Sequence, residues 1–142
     1  MTTLRELEFT VKGIPAPQGS KRAYVRNGRA NLVEMAGASL KAWRQDVAVA
    51  ALGAMVKQDW YMADEPVAVH VTFRMPRPKS RPTDTWHATR PDVDKLLRAV
   101  FDALTTANVW HDDSLVADVL AWKHYATQTA PPGALICVRT IR

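Results

Sequence analysis

A chain of 142 residues suits one domain, expected to span residues 1–142, and its 47% hydrophobic and 23% charged content is ordinary for a globular protein. No apolar run approaches the roughly 20 residues of a membrane-spanning helix, and the opening MTTLRELEF lacks a secretion signal's apolar block, so the cytoplasm is the expected compartment. A net charge of +5 and a pI near 9.7 favour polyanionic partners, and no long amphipathic stripe accompanies the charge to suggest a membrane surface.

Leu7 to Val11 alternates apolar and polar residues, which predicts a strand. GIPAPQGSKR follows as irregular chain, because Pro15, Pro17 and Gly19 interrupt helix and strand alike. Tyr24–Arg26 and Ala30–Val33 flank Asn27-Gly28, a pair suited to a tight hairpin turn. Ser39 is the expected N-cap of a helix reaching about Gln58, with Leu40, Trp43, Val47, Ala50, Ala51 and Ala54 on its buried face. Val67, Val69, Val71 and Phe73 alternate as a strand. Met75 to Pro91, with four prolines, reads as a long loop.

A second helix is expected from about Asp92 to Thr106, with Val93, Leu97, Val100, Phe101 and Leu104 as its apolar stripe. After a turn at Ala107-Asn108, Leu115 to Trp122 reads as a largely buried strand, and Ala134 to Ile141 as the last strand. The order of elements predicts an α/β (α+β) fold, a small sheet with two main helices packed on it. Cys137 lies in the last strand. It is the chain's single cysteine and reads as a small core residue rather than a disulfide partner or catalytic thiol.

Charge is unevenly distributed. Between Arg74 and Arg98 seven basic residues stand against three acidic ones, and Lys21, Arg22, Arg26 and Arg29 form a second basic group. Within the first group lies Arg90-Pro-Asp-Val-Asp-Lys-Leu-Leu-Arg98, followed by Trp110-His-Asp-Asp-Ser114. Pro91 disfavours helix at Arg90, so Asp92 falls at a helix cap and Asp94 in the first turn. Aspartates are common there for structural reasons alone. Asp112 and Asp113 form a second acidic pair, for which turn formation is the plain alternative. Several carboxylates in a basic protein repel one another unless a cation intervenes, and an oxygen-only set suits Mg²⁺ or Mn²⁺. An acidic centre with a basic surround is what a metal-dependent nuclease needs. Arg98, four residues after Asp94, shares its helix face and is placed to stabilise charge on a phosphate, with Asp102 one turn further as its structural partner.

These residues resemble the RusA family of Holliday-junction resolvases. PDVDKLLRAVFDAL followed by VWHDDSLVADV is similar to that family's Asp-x-Asp-Asn-Leu, apolar helix ending in Asp-Ala-Leu, and Asp-Asp-(Ser/Ala)-x-Val. GIPAPQGSKR resembles the opening of phage and prophage members. The resemblance covers about a quarter of the chain, Arg90 to Val119. It implies a small mixed α/β domain that forms a homodimer and cuts four-way DNA junctions by paired symmetric nicks, using Mg²⁺ or Mn²⁺ and no nucleotide cofactor. It implies Asp92, Asp94 and Asp113 as metal ligands with Asp112 adjacent, and it puts the family's catalytic lysine at Arg98. Lys95 stands where the family has Asn. An arginine keeps the charge but cannot transfer a proton at ordinary pH.

The DNA-contacting residues expected are Lys21, Arg22, Lys79, Arg81, His87, Arg90 and Lys95, against the alternative of solubilising charge. Trp110 reads as core, and Trp86, in a polar loop, as a surface on which an unpaired base could stack. His70 alternates within a strand and reads as a solvent-facing or satisfied histidine, and His111 shows no zinc-like spacing with the other histidines or Cys137. Two alternatives to a junction resolvase stay open: a non-catalytic DNA-binding module, and a metal-dependent nuclease of flaps or other branched DNA.

Overall fold

The structure is a computed structural model; it describes residues 3–19 and 37–142 in full, and between them the backbone of 21–26 and 29–34. In chain order the elements are β1 (Glu6–Lys12), β2 (Lys21–Arg26), β3 (Arg29–Glu34), α1 (Gly37–Lys57), β4 (Val67–Met75), α2 (Val93–Thr106), β5 (Val116–Tyr125) and β6 (Gly133–Thr140). A single 3-10 turn, Asp113–Leu115, leads into β5. β2 and β3 pair antiparallel, with Arg26 opposite Arg29, as the hairpin pattern predicts; the Asn27-Gly28 turn itself lies outside the described residues.

The main sheet is mixed, in the order β1-β6-β4-β5. β6 runs antiparallel to both β1 and β4, and β5 runs parallel to β4. A parallel pair needs a crossover, and α2 supplies it. Side-chain alternation sorts the sheet into two faces. Leu7, Phe9 and Val11, then Val67 to Phe73 at every second position, then Ile136 and Val138 face the helices and join Trp43, Val47, Leu96, Val100 and Leu104 in one core. Among the described residues no helix covers the opposite face.

Three expectations about these elements need correction. β5 is not largely buried: Val119, Leu120 and Trp122 are all 44–45% exposed. It is the edge strand beside an uncovered face, so solvent reaches it from two sides. α2 buries Leu96, Ala99, Val100, Ala103 and Leu104, whereas Val93 is exposed and Leu97 and Phe101 are half-buried. It packs against α1, and two of its five buried residues, Ala99 and Ala103, are small residues that an apolar stripe judged by size leaves out. Lastly, α1 begins at Gly37, so Ser39 lies inside the first turn rather than at the cap. Its buried face is otherwise as expected, Leu40, Trp43, Val47, Ala51 and Ala54, with Ala50 half-buried. Among the described residues no helix is long and apolar enough to cross a membrane.

Candidate functional site

Two element starts carry the acidic residues. At the first, Asp92 occupies the N-cap position of α2 in extended conformation (φ −71°, ψ 141°), but its side chain makes no capping hydrogen bond. The helix starts with Leu96 N–H donating to the Asp92 carbonyl at 3.1 Å. Asp92 thus adopts the cap backbone without satisfying a helix N–H through its carboxylate. Asp94 follows in the first turn, exposed.

The second start is anchored from behind. Trp110 is fully buried, and its indole N–H donates to Thr105 Oγ1 at 2.8 Å. Ala63 bridges to Trp110, with Ala63 N–H donating to Val109 O at 3.0 Å and His111 N–H to Ala63 O at 2.9 Å. From this fixed point the chain emerges at Asp112 and Asp113. The two acidic residues then differ. Asp112 accepts a 2.8 Å hydrogen bond from the Ser114 hydroxyl, which holds its carboxyl below the usual aspartate range. That bond is local to the turn. Asp113, half-buried in the 3-10 turn, makes no ion pair among the described residues, and neither do Asp92 and Asp94. The turn packs against α2, and Trp110, three residues before Asp113, meets that helix at Phe101 and Thr105.

A cleft of about 510 Å³ opens beside α2, lined by Gln18, Asp94, Leu97, Arg98, Phe101 and Val119. Gln18 N–H donates to Lys95 O at 2.9 Å, which brings the proline- and glycine-rich segment to this helix face. The Gln18 side-chain oxygen is buried and has no hydrogen-bond partner among the described residues. Leu97 and Phe101 thus pack against the core and also line this cleft. Arg98 is exposed, and its Nε lies 3.7 Å from Asp102 Oδ1, so Asp102 is its partner as expected and Asp94 is left unpaired.

The donor chemistry of Asp92 and Asp94 fits a hard divalent cation: two carboxylates at one helix start that make no ion pair among the described residues, with Asp94 in the cleft that also holds the Gln18 amide. The spacing is open. Among the described residues no three of the acidic, histidine and cysteine side chains gather closely enough to hold an ion by themselves. Cys137 plays no part. Its thiol donates to Glu6 Oε1 at 3.4 Å, and burial, reinforced by Glu6, pushes its pKa up to about 11.

The basic loop between β4 and α2 straddles the edge strand. On the uncovered side Trp86 stacks on Trp122, ring centres 6.2 Å apart, and approaches His124 at 5.5 Å. On the helix side His87 packs against Tyr125 at 5.2 Å. His87 is buried, which corrects its expected place among the DNA-facing residues; burial first, then the charge of Lys123, lowers its pKa. Trp86 remains exposed as expected. Lys79, Arg81 and Arg90 are exposed on the loop, Arg81 3.7 Å from Asp84. Lys95 is half-buried beside the cleft. Lys21 and Arg22 lie on β2, and their side chains fall outside the described residues.

One residue escaped the sequence reading. Lys123 Nζ donates to the carbonyls of Thr89 and Pro91, 2.9 Å each, and so ties the loop's end to β5. The signal was available: strand alternation places Lys123 on the same side as buried Tyr125, and a lysine on a core-facing position needs a partner.

Fold and site together define a class, a small α+β protein with carboxylates at a helix start and a strand start inside a basic rim. The chain belongs to the RusA family: the family model described as "Endodeoxyribonuclease RusA" matches residues 15–138. It is 33% identical over 105 residues, 74% of each chain, to the "Crossover junction endodeoxyribonuclease RusA" of Escherichia coli O139:H28. It is also 33% identical over 106 residues, again 74% of each, to the protein of that name from Enterobacteria phage 82. A relative from Bacillus subtilis, "Uncharacterized protein YqaN", is 32% identical over 138 residues, 86% of this chain and 89% of its own.

Proposed function

We propose that this protein is a divalent-metal-dependent endonuclease that resolves four-way DNA junctions by paired nicks. The observation that carries the reading is the helix cap at Asp92, which has the cap backbone but makes no capping hydrogen bond with its carboxylate, two residues before the exposed carboxylate of Asp94. Membership of a family whose relatives are named crossover junction endodeoxyribonucleases supports the substrate class.

Asp92, Asp94 and Asp113 would hold Mg²⁺ or Mn²⁺, which when bound activates water and stabilises charge on a phosphodiester. Lys79 and Arg90 hold the DNA backbone, offsetting the repulsion between carboxylates and phosphates. Arg98, on the wall of the cleft, donates to a phosphate oxygen as charge accumulates there. It acts as an electrostatic stabiliser and not as a proton donor, because a guanidinium stays protonated throughout the working range. A homodimer would match the approximate two-fold symmetry of a junction and place one site on each of two strands.

The test is to incubate the protein with a four-way junction and a matched linear duplex, in Mg²⁺ and in EDTA. Paired metal-dependent nicks confined to the junction are expected; equal cutting of linear DNA overturns the substrate assignment. Asp94→Asn should abolish cutting while keeping or strengthening junction binding, since it removes negative charge near the phosphates, and wild-type cutting by that variant refutes the site. The open spacing of the carboxylates favours one second reading, a junction-binding module without cleavage. Tight binding with no cutting in Mg²⁺ or Mn²⁺ would decide for it.

A further inference from the structure

We infer that Lys123 is a positioning residue for the metal ligand Asp92, acting through the backbone that leads into it; this rests on the carboxylate reading above. The ammonium group of a strand residue donates to two carbonyls of the incoming loop, Thr89 and Pro91, at 2.9 Å each, across more than 30 positions of sequence. The second of those carbonyls belongs to the residue immediately before Asp92.

Three features make this more than a general tie. First, the lysine sits on the helix-facing side of β5, in register with buried Phe73, where a charge is costly without partners. Its two acceptors are both neutral carbonyls, so no carboxylate balances the charge there. Second, Asp92 receives no local restraint on its side chain, because the capping hydrogen bond that would normally orient it is missing. Its direction is therefore set by the backbone entering the helix, and Lys123 holds that backbone. Third, the packing on either side leaves the lysine as the polar pin. His87 against Tyr125 and Trp86 against Trp122 fix the middle of the loop by ring contacts, whereas the last three residues before the helix, Thr89 to Pro91, are held by the lysine. Groups that orient a ligand from outside the coordination sphere commonly change metal affinity by about 10–100-fold when removed.

The experiment measures Mn²⁺ binding to the full-length protein, without DNA, by calorimetry and by the electron paramagnetic resonance signal of unbound Mn²⁺. Lys123→Met keeps the apolar stem and removes both donors. It should weaken Mn²⁺ binding about tenfold or more, and raise by a similar factor the Mg²⁺ concentration needed for half-maximal cutting. Junction binding in EDTA should stay at the wild-type level. In an Asp92→Asn background the same change should add little further loss, because the two residues act through one ligand. A purely structural tie would lower Tm yet leave Mn²⁺ affinity unchanged well below Tm, and that outcome overturns the inference. So does a full additional loss on top of Asp92→Asn. If Lys123→Met does not fold, Lys123→Gln, which retains a shorter neutral donor, is judged by the same Mn²⁺ criterion. The two levels of failure separate cleanly. Wild-type protein that binds no Mn²⁺ removes the carboxylate reading and this inference with it, whereas wild-type binding that is unaltered by Lys123→Met or Lys123→Gln removes this inference alone.

Discussion

Arg98 is drawn along its helix toward Asp102, at 3.7 Å, with most of its side chain in solvent. An exposed pair of this kind contributes no more than about 0.5 kcal/mol, so Arg98→Ala should hardly move Tm. If the guanidinium stabilises charge on the phosphate, the same substitution should lower the single-turnover cutting rate by roughly 100-fold; a loss of rate matched by a loss of stability would point instead to a structural role. Arg98→Lys separates charge from proton transfer. Its rate should approach that of the native protein near pH 8 and fall as pH nears the ordinary lysine value of about 10.4, while the arginine form shows no such decline from this residue. His87 offers a different test. Its folded pKa lies below the ordinary 6.5 because burial, and then Lys123, disfavour the charged ring. The unfolded chain therefore binds a proton more readily than the folded one below pH 6.5. The contribution is fully present above pH 6.5 and is lost as pH falls from there through the folded pKa. Tm measured between pH 7.5 and 5 should decline less steeply in His87→Gln, and an unchanged slope would remove His87 as the source.

Elements were legible where one face is buried and the other is not. β1 and β4 alternate cleanly because their inward residues meet the helices, and the carboxylate-bearing start of α2 was visible from Pro91 and the apolar residues after it. β5 misled because its apolar residues suggest burial, whereas its position at the sheet edge, set by contacts distant in sequence, exposes both of its faces. In α2 the apolar stripe has two parts: Val100 and Leu104 within the core, Leu97 and Phe101 at its margin, where they also line the cleft. Residue size alone cannot divide them, since both parts are apolar. Asp92, Asp94, Asp113 and Arg98 could be picked out as candidates from local pattern; for Lys123 strand alternation signals only that it needs a partner, and its acceptors, 32 and 34 positions away, are not legible locally. The start of β6 makes the weight of such distant contacts measurable. Gly133 has φ +154°, and a Cβ there would overlap the Val11 carbonyl oxygen of β1. The obstruction is backbone paired in a sheet, which cannot swing aside as a side chain would. Gly133→Ala should cost more than about 2 kcal/mol, a fall in Tm of roughly 6 °C or more. A fall of under about 2 °C would mean that the β1–β6 junction can yield.

Across the whole molecule, a charge of +5 says that polyanions are attracted but not which residues meet them. The basic residues of the β4–α2 loop are not equivalent. Arg77 is committed to the loop itself: Nη1 donates to Arg81 O at 2.9 Å and to Asp84 O at 2.8 Å, and the guanidinium lies over the Tyr125 ring at 4.0 Å. Arg81 is partly neutralised by Asp84. Lys79 and Arg90 are exposed and make no ion pair among the described residues, so their charges are available to phosphates. Each phosphate contact releases about one condensed counterion, which sets the salt dependence of affinity. Lys79→Ala and Arg90→Ala should therefore each reduce the slope of log K against log salt by about one, with equal weakening on junctions of different sequence. Arg77→Ala should act differently, loosening the loop and increasing amide exchange from residue 78 to 90. Charges used for holding DNA should also leave the chemical step alone. With protein in excess, Lys79→Ala and Arg90→Ala should cut at the native single-turnover rate even where their affinity has fallen, in contrast to Arg98→Ala. An unchanged salt slope in either loop variant would remove that residue from the DNA-binding surface, and a reduced single-turnover rate at saturation would move it into the reacting site.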